Sequence, residues 1–376
     1  MDSNGLALLA ADIANAEAVR AVKRLQHAWG HYAEAGDHAA MADLFAREGR
    51  LLLPPAEASG RDAILALIRQ AMGEPAPDRL DVRLLLSPVV SVAADGMSAK
   101  GRWHEIAMTG QYGANARWSG GIHENLYVLK DGVWKIGLLH YHPQYEGPYR
   151  DGWSNVSDNV PLVPYHFTPD SAGVPVPLQP LVREGPAPDR ARLAARAQAL
   201  VDEGLIHNLF AAYGQYLDRK LWDDVAELFT DNGALEIGGE GGWIGRADIR
   251  RGLERFGPVG LKHGELFDHL ELMPVVTLAP DRRSAVLRGV EVRMLAVHGK
   301  SGAWGVGICD ARFVKGADGK WRISALRIAP RMLADYAAGW DRDLPPLAAS
   351  TAYPRHRGPR SASRIRCSGP GRRRSR

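Results

Sequence analysis

Apolar residues recur at helical spacing over residues 19–46 and again over 200–230, and each run is broken once, near Gly36-Asp37 and near Lys220. Each run therefore predicts two helices. A third, shorter helix is predicted after Gly60-Arg61-Asp62 and after Gly245-Arg246-Ala247-Asp248, where Asp62 or Asp248 sets a carboxylate near the positive end of the helix. Downstream the sequence turns to β. Residues 82–92, 98–108, 120–130 and 133–142 are short segments rich in Val, Ile, Leu and aromatics, and Lys130-Asp131-Gly132 joins the last two as a hairpin. The second half repeats that order. Helices first and an antiparallel meander afterwards predict an α+β class with a curved sheet wrapped on helices.

The two halves are copies of one domain. At an offset of 184, Gly30, Tyr32, Leu44, Phe45, Gly49 and Leu51 fall on Gly214, Tyr216, Leu228, Phe229, Gly233 and Leu235. At 185, Gly60, Arg61 and Ile64 meet Gly245, Arg246 and Ile249; at 186, Pro88-Val89-Val90, Arg102, Glu105 and Trp118 meet Pro274-Val275-Val276, Arg288, Glu291 and Trp304. One more step, to 187, places Asp131, Gly132, Trp134 and Ile136 on Asp318, Gly319, Trp321 and Ile323. Single-residue slips between fixed elements are what turn insertions produce. The expected organisation is an N-terminal extension (1–16), domain 1 (17–150), a connecting segment (151–189), domain 2 (190–341) and a tail (342–376).

Ten of the chain's 24 prolines fall in residues 143–188 beside Trp153, Tyr165 and Phe167, which predicts an extended strap lying on a surface rather than a free linker. The net charge of +4 misleads, because residues 354–376 carry nine arginines and no acid, so the remaining 353 residues sum to −5. The tail is expected to be disordered, and without interleaved aromatics it makes a poor nucleic-acid arm. No apolar run reaches the roughly 20 residues of a membrane helix, and residues 1–11 lack a basic region and cleavage site, so a soluble, cytoplasmic protein is expected. Two distant cysteines, Cys309 and Cys367, cannot build a disulfide framework.

The order of helix, helix with Leu-Phe-x-x-x-Gly, Gly-Arg-x-x-Ile, Pro-Val-Val and Asp-Gly-x-Trp-x-Ile, found twice, resembles the nuclear transport factor 2 superfamily and its SnoaL-like and scytalone dehydratase-like branch. The resemblance implies two cone-shaped α+β barrels in tandem, each with an apolar cavity between helices and concave sheet. It also implies that the copies pair through their sheets as an intramolecular pseudo-dimer, with further homo-oligomers open. The scaffold serves dehydratases, isomerases, cyclases and inert carriers, so fold alone does not select a function.

The resemblance assigns chemistry to copy two. Relatives carry an aspartate at the end of the first helix and a histidine five residues before the proline of the first long strand; Asp218 and His269 occupy those positions. Asp218 would fix one imidazole tautomer, leaving the other nitrogen of His269 as base and acid for an elimination of water. Tyr213, Trp243, Cys309 and Arg327 are the candidate substrate contacts, with Trp243 in the cavity-bordering loop and Arg327 placed to meet a carboxylate or phenolate. In copy one Glu34 and Arg83 replace the pair. Glu105, His123, His140 and His142 form a candidate second site there, because alternation from Trp134 and Ile136 puts His140 and His142 on the cavity side. His-x-His binds a metal only when a third ligand converges, and none is expected. No phosphate loop, Rossmann fingerprint or nucleophile elbow is present, which leaves cofactor-free acid/base work or plain binding. Two readings stay open: a lyase or dehydratase acting on a hydroxylated aromatic or polycyclic small molecule, and a catalytically silent pocket protein or scaffold.

Overall fold

The computed structural model of the chain describes residues 3–76, 78–155 and 189–342. Most of the expected strap and nearly all of the arginine-rich tail lie outside them. Each copy is described by itself. Copy one opens with α1 (Ser3–Ala35), which runs through the expected N-terminal extension rather than starting near residue 19. Its Val22, Leu25, Trp29 and Ala33 are buried at one-face spacing. Gly36, at φ 66°, ends the helix and Asp37 caps α2 (His38–Asp43), accepting from the Ala40 N–H at 3.0 Å. Strands β1 (Phe45–Leu53) and β2 (Ala56–Ser59) lead to α3 (Arg61–Met72). Then come β3 (Arg79–Val92), β4 (Ser98–Gln111), β5 (Asn115–Lys130), β6 (Val133–Pro148) and the two-residue β7 (Ser154–Asn155). Asp131 and Gly132, both at positive φ, make the hairpin turn between β5 and β6.

Copy two repeats the plan with α4 (Arg190–Asp218), α5 (Trp222–Glu227), β8 (Phe229–Ile237), β9 (Gly241–Ile244) and α6 (Arg246–Leu253). It closes with β10 (Glu265–Leu278), β11 (Ser284–Val297), β12 (Ser301–Lys315) and β13 (Trp321–Asp335). The sheet orders are β2-β1-β6-β5-β4-β3, extended by β7 on β6, and β10-β11-β12-β13-β8-β9. Both sheets are mixed, since β1 runs parallel to β6 and β8 parallel to β13. Both are open sheets wrapped on helices, not closed barrels.

The core of copy two forms where Ile206, Phe210, Tyr213 and Leu217, one face of α4, meet Trp222, Phe229, Leu326 and Ile328. Burying each large side chain contributes about 1.5–3 kcal/mol. The Pro-Val-Val motif marks a defect that the sheet uses. Met273, at φ 52°, and Pro274 oppose the single Gly289, a bulge that tolerates proline within the strand. A Cβ on Gly289 would lie 2.9 Å from the Phe210 ring, so the helix fills the space that the strand leaves.

Candidate active site

Helix α4 approaches β10 closely because residue 214 is glycine: a Cβ there would sit 2.6 Å from the His269 carbonyl oxygen. One turn later the helix ends on Asp218. A carboxylate at the negative end of a helix is disfavoured by the dipole, so it needs donors from elsewhere. His269 supplies them. Its backbone N–H donates to Asp218 Oδ1 at 2.7 Å, and its Nδ1 lies 3.1 Å from the same oxygen. The imidazole is 5% exposed and stands edge-on to Phe267, 4.6 Å between ring centres. With Nδ1 engaged by the carboxylate, Nε2 is the nitrogen left for chemistry.

His269 lines a narrow cleft that encloses about 40 Å³ and opens to solvent at its mouth. Its apolar wall comes from Leu217, Phe256, Phe267, Leu295 and Leu333; its polar groups are His269, Glu240, Glu291 and Arg293. Register explains the polar side. Arg293 is directly across the ladder from His269, and Glu291 from Glu271. On the other flank Glu291 and Arg293 face Gly307 and Gly305, which carry no side chains to cover them. Arg293 Nε is 2.7 Å from Glu291 Oε1, an ion pair, but the contact lies off the N–H axis and neither atom is satisfied by a hydrogen bond.

The other residues expected at this site are distributed differently. Tyr213 is fully buried, its ring edge-on to Phe229, and its hydroxyl has no protein partner. Cys309 is also buried, and its Sγ donates to Glu271 Oε2 at 3.7 Å. Burial and the carboxyls of Glu271 and Glu291 push its thiol up, away from thiolate chemistry. Trp243 does not line the cavity; its indole covers Gly252 of α6, leaving no room for a Cβ there. Arg327 corrects the expectation of a substrate contact. Ser324 is an extra residue between the pairs Arg312↔Ala325 and Phe313↔Ile323, so alternation inverts beyond it. Arg327 is therefore 63% exposed, 3.6 Å from Glu236.

The same inversion operates in copy one. Gly137 is extra between Leu126↔Leu138 and Tyr127↔Ile136, so Leu139 joins Ile136 in the core while His140 and His142 turn to the opposite face. There the two imidazoles lie 3.9 Å apart. Burial lowers both, and His142, with His140 beside it, is depressed to about 4. Glu105 and His123 do come together on the inner face, with His123 Nε2 3.0 Å from Glu105 Oε2. Arg83, standing where copy two has His269, donates to Glu105 Oε1 at 3.0 Å and to Asp81 at 2.9 Å. Burial pushes the Glu105 carboxyl up, but Arg83 and His123 outweigh it and hold it below the ordinary glutamate range. Both of its oxygens are occupied.

Sequence reasoning matched Glu291 to Glu105 but gave it no role, and passed over Glu271 and Arg293. Their signal was legible: charges at inward positions of strands otherwise built from Val, Leu and Met.

The family model of the SnoaL-like domain matches residues 14–140 and again 198–327, together more than half of the chain. Among solved structures, the chain is similar to an NTF2-like protein with a cystatin-like fold from Novosphingobium aromaticivorans, at 25% identity over 38% of this chain and 90% of that one, with a TM-score of 0.33. A putative scytalone dehydratase from the same organism aligns at 17% identity over 38% of this chain and 93% of that one, TM-score 0.32. A hexachlorocyclohexane dehydrochlorinase aligns at 14% over 34% and 86%, TM-score 0.31. No curated protein matches.

Proposed function

The chain belongs to the SnoaL-like domain family, and we propose that copy two is a cofactor-independent lyase of the dehydratase type while copy one is its non-catalytic companion. The observation that carries the reading is the 3.1 Å contact of Asp218 Oδ1 with His269 Nδ1 at the wall of a cavity walled by Phe256 and Phe267. An aromatic wall favours a flat apolar substrate. His269 Nε2 takes a proton from a carbon made acidic by a neighbouring carbonyl, and Asp218 stabilises the imidazolium that forms. The C–O bond to a hydroxyl on the adjacent carbon then breaks as the C=C bond forms. The imidazolium returns its proton to the leaving hydroxide, so water departs and the histidine is regenerated.

The test is a panel of aromatic β-hydroxy ketones, followed by the absorbance of the conjugated product. Turnover by the full chain that falls about 10²–10⁴-fold in His269→Ala supports the lyase. Equal turnover in that variant, or binding of the panel without any product, would leave a ligand-binding protein instead.

A further inference from the structure

Glu291, which lines the copy-two cavity, belongs to a group of buried polar side chains that the elimination does not use. Glu291 is 1% exposed and neither of its oxygens has a hydrogen-bond partner in the protein; Tyr213, 0% exposed, has an unpartnered hydroxyl. Glu271 contributes a third group, since its Oε1 is enclosed and unpartnered although Oε2 accepts from Cys309. Orphaned buried polar atoms cost free energy and call for an explanation. Here they gather at one place: Glu291 and Glu271 are cross-strand neighbours, and both act electrostatically on Tyr213.

Copy one shows what this position looks like when the fold alone is served. Glu105 has the place of Glu291, and its two oxygens are taken by Arg83 and His123. In copy two those partners are His269, which is turned to Asp218, and Cys309, which donates to Glu271. Trp29 and Leu85 stand where copy two has Tyr213 and Glu271. Copy two has thus exchanged a carboxylate with both oxygens hydrogen-bonded for carboxylates that are not, and of these Glu291 lines the cavity.

We propose that Glu291, with Tyr213 and Glu271 behind it, is a hydroxyl-binding end of the copy-two cavity and selects substrates that carry a phenol or alcohol away from the reacting carbon. The donor pattern supports a neutral hydroxyl. Burial and the neighbouring Glu291 raise the Glu271 carboxyl and so favour its protonated form, which can donate as Tyr213 can. Glu291 is the acceptor, with its charge balanced by Arg293. A hydroxyl gives one hydrogen bond and accepts others, which fits this set. A carboxylate would meet Glu291, and an ammonium group would meet Arg293.

The inference deepens the lyase reading and depends on it only for which end of the ligand reacts. Its test is equilibrium binding of β-naphthol, its methyl ether and β-naphthoate to the full chain and to His269→Ala, Glu291→Gln and Glu291→Leu. The phenol is expected to bind at least about tenfold more tightly than the ether in the wild type and in His269→Ala. That preference should shrink in Glu291→Gln and vanish in Glu291→Leu; because Glu291→Leu leaves Arg293 without its ion-pair partner, circular dichroism confirms that each variant is folded at the binding temperature. Equal affinity for phenol and ether, tighter binding of the naphthoate, no binding of β-naphthol, or a preference that survives Glu291→Leu overturns the proposal. Failure of the lyase reading looks different: the hydroxyl preference persists with no turnover that depends on His269.

Discussion

The two copies hold the same positions and spend them differently. In copy one, Arg83, Glu105 and His123 consume one another's charge, and Gln26, Asn125, Tyr127 and Trp103 form a buried hydrogen-bond network. In copy two the second group becomes Phe210, Ala311, Phe313 and Gly289, an apolar packing, while the first opens into the cavity beside His269. Polar groups serve stability where they are saturated and become available for ligand where they are not. Sharing a fold, the copies differ in which of these states each position occupies.

That contrast can be broken at several points. The largest expected effect is on turnover: Asp218→Asn should lower it by about 10²-fold or more by releasing the tautomer, whereas His123→Gln in copy one should leave it within about twofold. Next come the equivalent glutamates, each paired with a buried arginine. Glu105→Gln removes a partner from a buried ion cluster and should destabilise copy one by about 3 kcal/mol. Glu291→Leu also strands a buried arginine, Arg293, and should destabilise copy two by a smaller amount, since Glu291 is held by that ion pair and by no hydrogen bond; chemical denaturation of the two variants measures the difference. Gly289→Ala should cost about 1–3 kcal/mol, because its Cβ meets the Phe210 ring at 2.9 Å. Phe210→Leu in the same chain should recover part of that loss.

The smallest effect concerns pH. Glu105 is held below its ordinary value of 4.5, so the stability it contributes is present above that value and is lost as pH falls through the folded one. Glu271 is raised above 4.5. Its contribution is complete below that value and is lost as pH rises through the elevated folded one. Melting temperatures of the full chain from about pH 2 to about pH 8 should therefore lose part of their acid-side slope in Glu105→Gln and part of their neutral-side slope in Glu271→Gln. Slopes unchanged in both variants would break the contrast.

Much of this was legible in the chain before any coordinates. The duplicated order of motifs gave the α+β plan, and the breaks at Gly36 and Lys220 are where α1 and α4 end. The Asp218 and His269 pair was readable only through the family resemblance, which fixes one position by a helix end and the other by its spacing from Pro274. What failed was strand alternation across one-residue bulges. Gly137 and Ser324 are unremarkable in sequence, yet each inverts every side chain beyond it, carrying His140, His142 and Arg327 to the wrong face. Trp243 was misjudged for another reason: Gly252 gives its ring a packing site that sequence proximity does not reveal. The charges at Glu271, Glu291 and Arg293 were visible but could be paired only once the register was known.

On the proposed function, proton transfer belongs to His269 and to copy two alone. Deuterium uptake from D₂O at the carbon beside the carbonyl of a hydroxylated tetralone, followed by NMR, tests it without requiring a leaving group. Uptake with the full chain and with His123→Gln, reduced about a hundredfold or more in His269→Gln, is the predicted result. Uptake that survives His269→Gln, or that disappears in His123→Gln, would contradict it.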